Sequence, residues 1–86
     1  MAKVDIYTSA ACPYCIKAKQ LLDKKGVGYN ELRVDQTPGL VEEAIQRSGG
    51  LRTVPQIFIN DAHVGGCDEL YALDKEGRLD PLLGVS

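Results

Sequence analysis

Val4–Thr8, rich in β-branched and aromatic residues, runs through Ser9-Ala10-Ala11 into Cys12-Pro13-Tyr14-Cys15, and a segment with helical spacing follows. A short buried strand that hands over at once to a helix restricts the possible architectures sharply. Pro13 suits a first helical position, because the N–H it lacks would be unpaired there anyway. Ala18, Leu21, Leu22 and Lys25 carry the helical period, the last turn is lysine-rich, and Gly26 and Gly28 stop the helix. The helix is expected over 13–25. Tyr29–Val34 then alternates as a second strand, so the first 34 residues read as a β-α-β unit with its two strands parallel.

Thr37 and Pro38 read as the N-cap and first position of a second helix over Leu40–Ser48, ended by Gly49-Gly50. Pro55–Ile59 is a third strand. Asn60-Asp61 turns it into a short fourth around Ala62–Val64, a hairpin interrupted by Gly65-Gly66. A last helix is expected over Cys67–Leu73, with apolar residues of the tail Leu79–Leu83 covering the sheet. The order β-α-β-α-β-β-α implies an α/β fold: a four-stranded mixed sheet flanked by three helices. At 86 residues there is room for one domain, 1–86, with no repeat or linker.

Composition removes several functional classes. Ten basic and twelve acidic residues are scattered along the chain, for a net charge of −2, so no basic patch points to nucleic acid. No apolar run approaches the roughly 20 residues of a membrane span. The start, Met1 to Ile6, carries charge inside its apolar stretch and does not resemble a signal peptide. Three cysteines are too few, and odd in number, for a secreted disulfide framework, which favours the reducing cytoplasm.

The chemistry rests on Cys12 and Cys15. With Cys12 at the N-cap and Cys15 at the third helical position, first-turn N–H groups and the helix dipole stabilise negative charge on the Cys12 sulfur. Thiols in such settings have pKa values of roughly 3.5–7.5, against about 8.5 for a free cysteine. Cys15, one turn inside, is expected to be more buried and to stay protonated until Cys12 is engaged. Cys12 is therefore the candidate attacking thiol and Cys15 the candidate resolving one. The pair alone leaves another reading open, half of a zinc site completed by His63 and Cys67, four residues apart. His63 otherwise reads as a surface histidine on a short strand.

Three separated motifs make the chain resemble the dithiol glutaredoxins of the thioredoxin fold: Tyr7-Thr8 followed by Cys12-Pro13-Tyr14-Cys15, then Thr53-Val54-Pro55, then Gly65-Gly66-Cys67-Asp68. The resemblance spans essentially the whole chain. The ending, Leu70-Tyr71-Ala72-Leu73 through Asp80-Pro81-Leu82-Leu83, is most similar to the bacterial glutaredoxin 3 type. It implies a thioredoxin fold and a glutathione-dependent oxidoreductase that reduces protein disulfides and protein–glutathione mixed disulfides. The potential implied is roughly −200 to −230 mV. Glutathione serves as cosubstrate, no other cofactor or metal is needed, and the protein is expected to act as a cytoplasmic monomer.

The resemblance also assigns a glutathione site. Pro55 is expected to be cis, turning the Val54 backbone toward the cysteines so that glutathione pairs with it like one added strand. Thr53 belongs to the same edge. Gly66 permits close backbone approach, and the N–H groups of Cys67 and Asp68 open a helix suited to a carboxylate. The Asp68 side chain suits the γ-glutamyl amine, and Tyr14 flanks the sulfur. Cys67 is read as mostly buried and inert. One position departs from the family: many members carry a lysine three residues before the first cysteine, where this chain has Ser9. Arg52, Lys17 and Lys19 are candidates to compensate, and each also reads as a plain surface charge.

Three rivals are weaker. A thioredoxin reduced by a flavoenzyme would carry a tryptophan just before its cysteine pair, and this chain has none. An iron–sulfur carrier would favour a small residue where Pro13 stands. A pure binding module leaves two thiols unexplained.

Overall fold

Five consecutive buried residues, Val4–Thr8, form strand β1 of the computed structural model, which describes residues 2–84. β1 pairs on one side in parallel with β2 (Asn30–Arg33) and on the other antiparallel with β3 (Gln56–Ile59). β4 (Ala62–Gly65) completes a mixed sheet of order β2-β1-β3-β4. This is the thioredoxin-fold order of elements, with helices on both faces.

Strand alternation sends the apolar residues of β1 and β3 to two separate cores. Val4, Ile6, Ile57 and Ile59 pack on one face against Ala18, Leu21 and Leu22 of α1 (Pro13–Lys24) and Leu70 of α3 (Cys67–Lys75). Tyr7 and Phe58 point to the other face and meet Ala44 of α2 (Leu40–Arg47), with Leu32, Val34 and Leu40 alongside. The Asn60-Asp61 hairpin has positive φ at both residues, 52° and 67°, the conformation of a two-residue type I′ turn.

Several boundaries differ from expectation. Lys25 caps α1 instead of ending it, and β2 is shorter than Tyr29–Val34. Neither Thr37 nor Pro38 starts α2. Its N-cap is Gly39, whose φ of 89° breaks any helical run from Pro38. α3 continues two residues past Leu73, to Lys75. β4 includes Gly65, with a bulge opposite Ile57 and Phe58. The tail, whose apolar residues cover the core as expected, is a fourth helix, α4 (Leu79–Leu83), beyond the three read from the sequence. Pro81 fits there because first-turn N–H groups lack intrahelical partners in any case. Leu79 and Leu83 are fully buried, and Lys25 Nζ joins Asp74 at 2.6 Å and Asp80 at 2.9 Å, tying α1, α3 and α4 together.

The α2 face holds a polar anchor. Asp5 is buried on β1, and Arg47, the last residue of α2, reaches it at 3.3 Å. The same guanidinium donates to the Tyr7 hydroxyl at 2.8 Å and lies 4.0 Å from the Phe58 ring centroid. Asn30 Nδ2 donates to the other Asp5 oxygen at 3.1 Å, and the Tyr7 hydroxyl donates to Glu43. Burial first, and then the hydrogen bond to Glu43, raise the Tyr7 pKa above the ordinary phenol value. One side chain thus fixes how α2 sits on the sheet.

Two stability predictions follow from these contacts. Arg47→Ala strands a buried carboxylate and uncovers Phe58, and should lower the unfolding free energy by about 1–3 kcal/mol in urea titration. Arg47→Lys should recover only part of this, since an ammonium cannot both stack on Phe58 and fork to Asp5 and Tyr7. Gly65→Ala combines a φ of 120° with a Cβ placed 2.7 Å from Glu69 Oε1 and 2.9 Å from its Cγ. It should cost about 1–3 kcal/mol, visible as a lower melting temperature.

Candidate active site

Cys12 stands at the N-cap of α1 with extended backbone, and its Sγ accepts a hydrogen bond from the Cys15 N–H at 3.1 Å. Pro13 occupies the first helical position, leaving the chain free to turn from β1 into the helix at the cysteine. Cys12 and Cys15 are joined as a disulfide across one helical turn, with Cα atoms 5.2 Å apart. Cys15 is 1 % exposed and Cys12 is 7 % exposed, so the outer sulfur is the one a substrate meets first. An N–H aimed at a helix-start sulfur is the kind of contact that favours a thiolate once such a disulfide is reduced.

The second wall comes from the loop before β3. The Val54–Pro55 bond is cis, and the Val54 carbonyl oxygen lies 3.7 Å from Cys12 Sγ. Gln56, buried at the start of β3, donates from Nε2 to the Thr53 carbonyl at 3.0 Å and to Thr53 Oγ1 at 3.2 Å. The third wall is the start of α3. Gly66 is its N-cap, and the first-turn N–H groups of Cys67 and Asp68 have no partner within the helix.

Tyr14, Thr53, Val54, Pro55, Gly66, Cys67 and Asp68 line a single groove of about 140 Å³. Every residue named from the sequence as a glutathione contact therefore borders one depression beside the disulfide. Tyr14 is 59 % exposed and forms its rim. Asp68 is exposed and Cys67 is buried. Burial pushes the Cys67 thiol above its ordinary pKa, against the opposing pull of Lys17, so it is a poor nucleophile at neutral pH.

Glu69 lines the same groove and was missed from the sequence. Its Oε1 accepts from the Gly66 N–H at 2.7 Å, closing the helix start, and the Gly66-x-x-Glu69 spacing was a readable sign of this. Two of the candidate compensators for Ser9 are engaged elsewhere, and the third, Arg52, lines the same hollow as Ser9. Lys19 is paired with Glu31 at 2.8 Å, and Lys17 lies 5.8 Å over the Tyr71 ring. Arg52 borders a second, apolar hollow with Ser9, Val41, Ile45 and Leu51. The zinc alternative does not assemble. His63 Nε2 is 2.7 Å from Gln56 Oε1, and among the described residues no group of three or more His, Cys, Asp or Glu is placed to hold a metal ion. Nor is any described helix long and apolar enough to cross a membrane.

Comparison with known proteins agrees with this geometry. The glutaredoxin family model matches residues 4–64, from the first strand through the hairpin. Glutaredoxin 1 of Rickettsia prowazekii is 63 % identical over 79 residues, covering 91 % of this chain and 83 % of that protein. Glutaredoxin 3 of Escherichia coli is 59 % identical over 83 residues, covering 96 % of this chain and 99 % of that one. A crystal structure of a buckwheat glutaredoxin–glutathione complex superimposes with a TM-score of 0.88 at 31 % identity, over 96 % of this chain and 77 % of that chain. A helix-capped cysteine pair, a cis proline opposite it and near end-to-end identity with these relatives lead to one assignment: the chain belongs to the glutaredoxin family, as a small dithiol member of the bacterial glutaredoxin 3 type.

Proposed function

We infer that Cys12 is the attacking thiolate and Cys15 the resolving thiol of a glutathione-dependent thiol–disulfide oxidoreductase acting on disulfide-bonded and glutathionylated proteins. The observation that carries this is the environment of Cys12 Sγ. It sits at a helix start, 3.1 Å from an N–H donor and 3.7 Å from the Val54 carbonyl, and Val54 and Tyr14 beside it line the groove. Glutathione supplies the strand-like backbone for Val54, a carboxylate for the N–H groups of Cys67 and Asp68, and an amine for the Asp68 carboxylate.

Two routes share the first step. With a glutathionylated protein, the Cys12 thiolate attacks the glutathione sulfur, the old S–S bond breaks, and the protein leaves as its thiol. Glutathione is then carried on Cys12. A second glutathione thiolate attacks that mixed disulfide, releasing oxidised glutathione and restoring Cys12. With a protein disulfide, Cys12 forms a mixed disulfide with one substrate sulfur. Cys15 then attacks Cys12, the substrate leaves reduced, and the Cys12–Cys15 disulfide remains for two glutathiones to reduce. That oxidised product is the state the structure shows.

Residues 1–86 work as a single glutaredoxin unit, and the cytoplasm is the setting, supported by three cysteines of which only one pair is bonded.

Glutathione-coupled turnover of a small mixed disulfide tests the division of labour. Cys12→Ser should lower turnover on the order of 10³-fold or more, whereas Cys15→Ser should keep substantial deglutathionylation and lose protein-disulfide reduction. An active Cys12→Ser beside an inactive Cys15→Ser would overturn the assignment. In the reduced wild type near pH 6, iodoacetamide should label Cys12 ahead of Cys15, as mass spectrometry of the peptides would record.

A further inference from the structure

The groove-lining Thr53 belongs to a loop outside any helix or strand, yet its position is fixed from beneath by a side chain that no step above uses. Gln56 is 2 % exposed, and its amide nitrogen bonds both the carbonyl and the hydroxyl oxygen of Thr53, at 3.0 and 3.2 Å. The amide oxygen faces the other way and meets His63 Nε2 at 2.7 Å. His63 lies on β4, directly across from Phe58, and its ring rests on the Phe58 ring with centroids 5.0 Å apart.

The hydrogen-bond inventory of this chain admits one arrangement. The Gln56 group facing Thr53 must be the NH₂, because the Thr53 carbonyl can only accept. Its oxygen then faces His63, so His63 Nε2 must carry a hydrogen. The Thr53 hydroxyl, accepting from Gln56, cannot aim its own hydrogen back at that amide and keeps it for another acceptor, on a residue that lines the groove. We propose that Gln56 and His63 are positioning residues for glutathione: a side-chain brace that sets the Thr53–Val54 edge and leaves the Thr53 hydroxyl free to donate to the bound peptide. This rests on the glutathione reading of the groove given above.

The test separates positioning from mere folding. Gln56→Glu keeps the shape but cannot donate to Thr53, and His63→Phe keeps the stack on Phe58 but removes the N–H. Each should raise the KM for glutathione, Gln56→Glu by about 3- to 10-fold and His63→Phe by less, with kcat within about twofold of wild type. His63→Gln, which can restore an N–H donor, should bring KM back toward wild type. Asp68→Ala serves as the reference for the groove itself. If it raises KM while Gln56→Glu and His63→Phe do not, the brace is wrong and the glutathione site stands. If none of the three changes KM, the glutathione reading falls and the brace with it. A fall in kcat at unchanged KM would also overturn the brace. For the wild type, ¹⁵N chemical shifts should show His63 protonated at Nε2 and slow solvent exchange of the Gln56 side-chain amide. A neutral His63 carrying its hydrogen on Nδ1 would overturn the proposal even if the variants failed to fold.

Discussion

Strand β1 is the constraint on which the molecule is built. It has neighbours on both edges and helices over both faces, so each of its five side chains is buried. Alternation gives Val4 and Ile6 to the core under α1, α3 and α4, and Tyr7 to the core under α2. Asp5 also points to the α2 side, and a buried carboxylate there is acceptable because Arg47, Asn30 and, at 3.9 Å, Lys3 meet it. The strand's direction then decides where the chemistry lies. Its C-terminal end releases the chain through Ser9, Ala10 and Ala11 to Cys12, and both helix starts that face the groove, those of α1 and α3, gather at that end of the sheet.

The site divides its work between main chain and side chains. The Cys12 sulfur is met by main chain, the Cys15 N–H at one side and the Val54 carbonyl at the other. Side chains line the far end, where Asp68 is exposed at the start of α3, and brace the backbone through Gln56 and Glu69. The two cysteines differ because the helix makes them differ: one is the N-cap, 7 % exposed, and the other is inside the first turn, 1 % exposed. Redox function here is a consequence of where a turn places a sulfur, more than of any unusual residue.

What could be read from the sequence was local. Pro13 marked the helix start, Asn60-Asp61 the hairpin, and Gly66 the beginning of α3, because each acts through its own backbone. The groove could be named residue by residue only because three motifs arrived together, in an order that matched a family. What escaped depends on contacts across the chain. Asp5 and Arg47 are 42 positions apart, and nothing near either announces the pair. Leu79–Leu83 lacks a clear helical signature, with a proline at its centre, and becomes helical because Leu79 and Leu83 fill the core while Lys25 holds Asp80. α2 starts at Leu40 as expected, but its N-cap is Gly39, whose left-handed conformation Thr37-Pro38 did not reveal. The His63–Gln56–Thr53 chain needs the β3–β4 register, which residue types alone do not supply.

The two atoms that frame the Cys12 sulfur, an amide nitrogen and a carbonyl oxygen, belong to the backbone. Every amino acid carries that carbonyl, and every one except proline that N–H. Point changes at Tyr14 or Val54 therefore alter packing around the sulfur while leaving its electrostatic partners in place. The reactive centre is buffered against mutational drift as long as the fold keeps the Cys12 turn and the Val54 bend in register. Selection on substrate choice can then act on the groove, at Tyr14 or Asp68, with the reactivity of the sulfur largely insulated from it.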